Sequence, residues 1–263
     1  MKLHLKMTMV MIAVASTPCA GVAYGQDAPA PAPADVKAEA AAVAPAAATG
    51  HGAIGFAVST LGFDIEGAVR LASRANVRVG FNFFSLSPSF TSDGINYVAQ
   101  LKLRSVVAFL DLFPFGGGFH ISPGLMIHNG NQLGLNASVP GGQSFTLSGV
   151  GYTSSTTTPV TGTGQITFRT TSPALVMGWG NLIPHGSRRW SVPFEMGTVF
   201  QGTPQAILSL NGTVCNAAGA GCRTIASDPT VQANVTAEQS KVNGSIGKFK
   251  LYPIISLGFA VKF

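Results

Sequence analysis

From Ile255 to Phe263 every second side chain is large and apolar. Ile255, Leu257, Phe259, Val261 and Phe263 fall on one face, and Ser256, Gly258, Ala260 and Lys262 on the other. A period of two belongs to a β-strand whose faces meet different surroundings, because a helix spreads such a pattern around its whole circumference. The same period runs through Gly62 to Leu71, where Phe63, Ile65, Val69 and Leu71 oppose Asp64, Glu66 and Arg70. It returns at Val77 to Phe84, with Val77, Val79, Phe81 and Phe83 against Arg78, Gly80 and Asn82. Between Ile95 and Arg104, Tyr97, Ala99, Leu101 and Leu103 oppose Asn96, Gln100, Lys102 and Arg104. Further alternating runs span Phe119 to Asn129, Gly164 to Thr170, Ala174 to Gly180, Trp190 to Phe200 and, more weakly, Gln205 to Asn211. Pro123 and Pro193 cannot donate to a ladder, so bulges or unpaired positions are expected there.

The polar side of these strands separates a sheet in water from one in lipid. A soluble sandwich turns its polar face to bulk solvent and fills it with charge. Here only 10% of residues are charged while 46% are hydrophobic, and the polar faces are small and Gly-rich. No internal stretch approaches the roughly 18 consecutive apolar residues of a membrane-crossing helix. An apolar chain that crosses by strands is the reading that remains, an all-β transmembrane antiparallel up-and-down barrel. In hydrocarbon every backbone N–H and C=O must be paired within the chain, which a closed sheet achieves.

The N-terminal segment reads as an export signal, residues 1–25. Lys2, His4 and Lys6 form a basic start, Met7 to Ser16 a short apolar run, and Val22-Ala23-Tyr24-Gly25 a cleavage site before Gln26. Cys19 follows Pro18, which does not fit a lipoprotein signal. Residues 26–50 are Ala/Pro-rich and read as a periplasmic linker, leaving 51–263 for the barrel. Loss of Lys2 and Lys6 takes the sixteen basic residues to fourteen, against ten acids. No tract of five or more Lys/Arg exists, so nucleic acid is not an expected partner. Cys215 and Cys222 remain after export with six residues between them, and in an oxidising compartment they are expected to close a small loop as a disulfide.

A terminal strand of alternating apolar residues ending on an aromatic resembles the outer-membrane β-barrel superfamily, over His51 to Phe263. The resemblance implies that Ile255, Leu257, Phe259, Val261 and Phe263 close the barrel and are read by the barrel-assembly machinery after delivery by periplasmic chaperones. It also implies an outer-membrane location, short periplasmic turns, long outer loops and contact with outer-membrane lipid. Short connections fall near Ser73, Gly117, Thr171 and Gly202, and long irregular stretches at Gly130 to Val160 and Thr213 to Gly247. Placing the four short ones in the periplasm gives ten strands, with His51 to Ser59 as the first; eight also fit if that piece merges with the next. Val231 to Val242 is a candidate helix at the barrel mouth. Trp179, Trp190, Tyr97 and Tyr252 are candidates for the interfacial girdles.

If the alternation holds, Asp64, Glu66 and Glu195 face Arg70, Arg78, Lys102, Arg104, Arg169 and Arg189 across the lumen. Such charges must be paired or wet. They form either a structural network filling a narrow interior or the basic lining of a path for a small anionic solute. A barrel of eight to ten strands is largely filled by side chains, which favours the network. His120-Ile121-Ser122 has the His-x-Ser spacing of lipid A deacylases, but no carboxylate lies nearby in sequence and both groups point to the lumen. Phe115-Gly116-Gly117-Gly118-Phe119 lacks a phosphate-loop Lys and reads as a turn. No cofactor, metal or catalytic set emerges. The expected role is structural, adhesive or narrowly conductive, with a membrane lipid-modifying enzyme and a soluble exported β-sandwich as rivals.

Overall fold

The structure is a computed structural model that describes residues 51–263; the expected signal peptide and linker lie outside the described residues. The strands, in chain order, are β1 (Gly52–Ser59), β2 (Gly62–Ala72), β3 (Ala75–Leu86), β4 (Ser89–Ser92), β5 (Ile95–Leu112), β6 (Phe119–Asn129), β7 (Gln132–Val139), β8 (Ser144–Leu147) and β9 (Val150–Ser154). They continue as β10 (Val160–Thr167), β11 (Ser172–Trp179), β12 (Trp190–Ser191), β13 (Phe194–Val199), β14 (Gln205–Asn211), β15 (Thr213–Asn216) and β16 (Arg223–Thr224). The helix α1 (Pro229–Ile246) then precedes β17 (Tyr252–Lys262).

Antiparallel pairing runs β5-β3-β2-β1-β17-β13-β11-β6, and β6 pairs back onto β5. The sheet therefore closes on itself, and no edge remains in the ring. Eight strands make this ring, with β12 and β13 as two pieces of one strand split at Pro193. The Pro193 carbonyl still accepts the Gly258 N–H at 2.9 Å. Pro123 sits where the β5–β6 ladder is interrupted between Phe109↔Gly124 and Leu112↔Ile121. A register shift between Val106 and Val107 leaves Ile127 as an extra residue on β6.

The ring corrects the expected count of ten. Two of the runs counted, 164–170 and 205–211, fall on β10 and β14, which pair outside the ring. The sides of the connections change with it. Connections at Ser73–Arg74, 113–118 and 180–189 share one end with the start of β1 and the finish of β17, here the turn end. Those at 60–61, 87–94, 130–171 and 200–251 all lie at the other, the cap end. Thr171 and Gly202 thus belong to the cap end rather than among the short turns. Gly62, at φ +110°, makes the tight β1–β2 turn there, and a Cβ on it would lie 2.7 Å from the Phe83 carbonyl oxygen.

The stretches read as irregular are ordered. β5 is 18 residues long and outruns the ring. Its first half pairs with β7, and the sheet continues β7-β10-β14. A second sheet, β16-β15-β9-β8, and α1 complete the cap. Their shared core includes Ile95, Tyr97, Val139, Tyr152, Val160, Val214, Ile225 and Val231. Tyr97 is therefore cap core, not a girdle residue. The exposed edge of β14 is blunted by α1. Asn243 Oδ1 accepts the Ala206 N–H at 2.7 Å, and Gln239 Oε1 accepts that of Leu208 at 2.9 Å. Among the described residues no helix is long and apolar enough to cross a membrane.

Around the ring the outward set is apolar and exposed: Ile54, Phe56, Val58, Phe63, Ile65, Val79, Phe81, Leu110, Leu125, Met177, Phe194, Leu257 and Phe259 among others. Trp179 and Trp190 stand exposed at the turn end, where Trp179 packs on Phe119 at 5.4 Å between ring centroids. That geometry suits an aromatic belt.

The N-cap of α1 is Asp228. Its carboxylate accepts the N–H groups of Thr230 at 2.9 Å and Val231 at 3.0 Å, ahead of Pro229 in the first turn. The Val231 N–H, helped by Arg223, holds this carboxyl below its ordinary value. A depressed folded-state pKa stabilises the helix above the unfolded aspartate pKa, and the stabilisation is lost as pH falls through the folded one. Asp228→Ala should lower the protection factors of the first-turn amides of α1 at neutral pH, and acidification should lower them in the wild type once the intrinsic pH dependence of exchange is divided out. Unchanged protection in both cases would remove the cap from the account.

Candidate functional site

Alternation on β2, β3, β5, β6 and β13 delivers Glu66, Arg78, Asp111, His120, Ser122 and Glu195 to one layer inside the barrel. Arg78 is the hub and is 1% exposed. Its Nη1 donates to Glu66 Oε1 at 2.6 Å and to Glu195 Oε2 at 3.0 Å. Its Nη2 lies 2.6 Å from Glu195 Oε1 and 3.1 Å from Asp111 Oδ1, and its Nε donates to Asp111 Oδ2 at 3.2 Å. The guanidinium also sits over the Phe109 ring at 4.9 Å. His120 Nε2 is 2.9 Å from Glu195 Oε1, and the ring packs on Phe113. Ser122 Oγ donates to Asp111 Oδ1 at 2.7 Å. Only an arginine offers a planar fork with enough donors to serve three carboxylates at once.

Toward the cap end the apolar side chains of Leu61, Val107, Met126, Val199 and Ile254 share the interior with Asp64, Asn82 and Ser105. At the turn end Leu182 and Ile183, from the 180–189 connection, plug the opening against Ala53, Ala68 and Ala260. Cations hold the plug by its carbonyls: Arg70 donates to Ile183 at 3.1 Å, and Lys262 to Pro184 at 3.1 Å and Gly186 at 2.8 Å. Asn76 adds a bond to Asn181 at 2.8 Å.

Of the residues expected in the lumen network, Glu66, Arg78 and Glu195 meet as an ion cluster, with Asp64 next to them on the same face. The other five do not join it. Arg70 clamps the plug. Lys102 and Arg104 are exposed on the outer surface of β5, where Lys102 borders an open groove with Gln100, Gln132 and Gln165. Arg169 is exposed just beyond β10, and Arg189 in the 180–189 connection. The reason is common to Lys102, Arg104 and Arg169. Apolar side chains point outward in the lipid zone but inward in the cap, so the polar face of a cap strand is the outer one. Asp111, His120 and Ser122 complete the cluster instead, and a carboxylate within Leu110-Asp111-Leu112-Phe113 is the sequence signal for the first. Cys215 and Cys222 are joined as a disulfide on the cap.

The chemistry open to this layer is narrow. Glu195 orients His120, but Ser122 gives its proton to Asp111 rather than to the imidazole, and all three groups are buried. A nucleophile needs its base within reach. Donor atoms of Asp111, His120 and Glu195 lie within 4.8 Å of one another, close enough to hold a metal ion. The guanidinium of Arg78 already occupies both carboxylates, so the fit for an ion between them is poor.

Comparison with known proteins turns on the fold. The structure of CarO from Acinetobacter baumannii, an outer-membrane β-barrel protein, superposes with a TM-score of 0.52 at 20% identity, covering 81% of this chain and 98% of that one. The chain has the outer-membrane β-barrel fold. The structure of Acinetobacter baumannii CarO2 agrees, with a TM-score of 0.52 at 19% identity over 81% of this chain and 97% of that one. No protein-family model matches the chain, and no curated protein matches it.

The Arg78 cluster has a direct test. Removing the one partner of buried carboxylates typically costs about 3–5 kcal/mol. Arg78→Ala should therefore lower the urea stability of the refolded barrel by about that amount. Adding Glu66→Gln, Asp111→Asn and Glu195→Gln should recover much of the loss. A single-variant cost below about 1 kcal/mol, typical of an exposed pair, would remove Arg78 from its central place.

Proposed function

We propose that this chain is an outer-membrane protein whose barrel is a closed anchor for an ordered outer cap, with a structural or adhesive role and no chemistry of its own. One observation carries the reading: the lumen is filled at mid-height by Arg78 and the carboxylates that grip it. A solute path needs water across that level, and the layer offers none without breaking ion pairs in a low-dielectric interior. The apolar belt favours a lipid setting over a soluble sandwich, since water does not tolerate so large a greasy surface. In that setting the partners are outer-membrane lipid along the belt and, during biogenesis, the assembly machinery reading Ile255, Leu257, Phe259, Val261 and Phe263. The cap end then faces outward, and the turn end with the 180–189 plug faces the periplasm.

The outer-membrane barrel fold is also compatible with a narrow pore, but the basic lining that would favour an anionic solute is not assembled in the barrel. Asp64, Glu66, Asp111 and Glu195 are buried in the barrel, while Lys102, Arg104, Arg169 and Arg189 are not. The one cation at mid-height, Arg78, is taken up by carboxylates and leaves no free positive charge for an anion there. The refolded chain in planar bilayers should stay silent across salt conditions and voltages. Reproducible unitary steps from the wild type would replace the anchor with a channel.

A further inference from the structure

A second polar group lies in the barrel on the cap side of Arg78. Asp64 on β2 stands directly across from Asn82 on β3, and Asn82 across from Ser105 on β5. All three are buried, at 6%, 1% and 0% exposure. Asp64 Oδ1, both amide atoms of Asn82 and Ser105 Oγ make no hydrogen bond within the protein. Four unpaired polar atoms in one cross-strand row are unusual, because each buried and unsatisfied group costs on the order of 1–3 kcal/mol. Gly80 makes room for the Asp64 carboxylate: a Cβ there would sit 2.9 Å from Asp64 Oδ1 and 3.2 Å from Oδ2.

The charge balance points the same way. Four carboxylates share this interior, and Arg78 is taken up by Glu66, Asp111 and Glu195. His120 serves Glu195, while Arg70 and Lys262 bind carbonyls of the plug. Asp64 is thus a buried carboxyl without a cationic side chain bonded to it, hydrogen-bonded instead to the acid next on its face, Glu66. A buried pair of acids calls for a shared proton or a counter-charge.

We propose that Asp64, Asn82 and Ser105 form a binding site for a hard divalent cation of the calcium class. The donors are all oxygens: the Asp64 carboxylate, the Asn82 amide carbonyl and the Ser105 hydroxyl, with Glu66 alongside. Calcium takes six to eight such ligands in loose geometry, so carboxylate, amide and hydroxyl oxygens completed by water suit it. It also offsets the excess of negative charge that Arg78 leaves. The site differs from the Asp111–His120–Glu195 group, whose oxygens the guanidinium already holds.

The test uses the full mature chain, refolded in nonionic micelles, stripped with EDTA and titrated with calcium chloride at constant potassium chloride. Saturable uptake of one calcium per chain, with a rise in melting temperature, is expected. Asp64→Asn should abolish both, and should melt no lower than the wild type in calcium-free buffer, since it removes an uncompensated charge without changing shape. Asn82→Leu and Ser105→Ala are the second line should Asp64→Asn not refold. Each should weaken uptake at least about tenfold, the lower end of what perturbing a metal site costs. Absence of stoichiometric uptake by the wild type overturns the proposal, as does uptake that survives these changes. So does stabilisation by acid alone, which would mean that Asp64 is neutralised by a proton.

Discussion

A peptide group facing hydrocarbon has no hydrogen-bond partner except another peptide group, and the whole structure follows from meeting that demand. The decisive pairing is β5 with β6, because it returns the sheet to its own edge. Once closed, the wall leaves side chains only two destinations, lipid or lumen. The lumen of eight strands is narrow enough for side chains to fill. Buried polar groups then have to satisfy one another, which is why one arginine ends up serving three acids.

β5 shows how one unbroken strand serves two solvents. Its odd residues, from Ile95 through Leu103 to Asp111, point inward throughout. Its even residues change character midway: apart from Val98, those from Asn96 to Arg104 are polar, while Val106, Ala108, Leu110 and Leu112 are apolar. The switch between Arg104 and Val106 marks where the outer surface passes from water to lipid. Below it the hydrophobic face is the outer one. Above it the hydrophobic face turns in, toward Tyr97, Val139 and Tyr152 in the cap core.

That inversion explains which features were legible in the sequence. Period-two runs such as Phe63-Ile65 and Ile255-Leu257-Phe259 state that the chain is all-β, and the scarcity of charge on their polar faces points to lipid. Glu66, Arg78 and Glu195 were legible for the same reason. The strand count and the remaining cations were not, because a cap strand and a membrane strand alternate alike while pointing opposite faces at the solvent. For this reason β10 and β14 read as ring strands from sequence, and Lys102 and Arg104 as inward-facing. Asp111 held the correction: a carboxylate cannot face lipid, so the odd face of β5 had to be the inner one. Pairing of the 130–160 and 213–247 segments depends on long-range contacts that no local pattern encodes.

The central claim is that β5 runs from water into lipid with one face always sealed inside. Spin labels placed singly from position 96 to 112 in the bilayer-reconstituted protein would read it, through collision with oxygen and with a water-soluble nickel reagent. Even positions up to 104 should favour nickel and those from 106 favour oxygen, while odd positions should be shielded from both. Nickel access at 106 to 112, or alternation that fails to separate odd from even, would contradict a lipid-embedded closed wall.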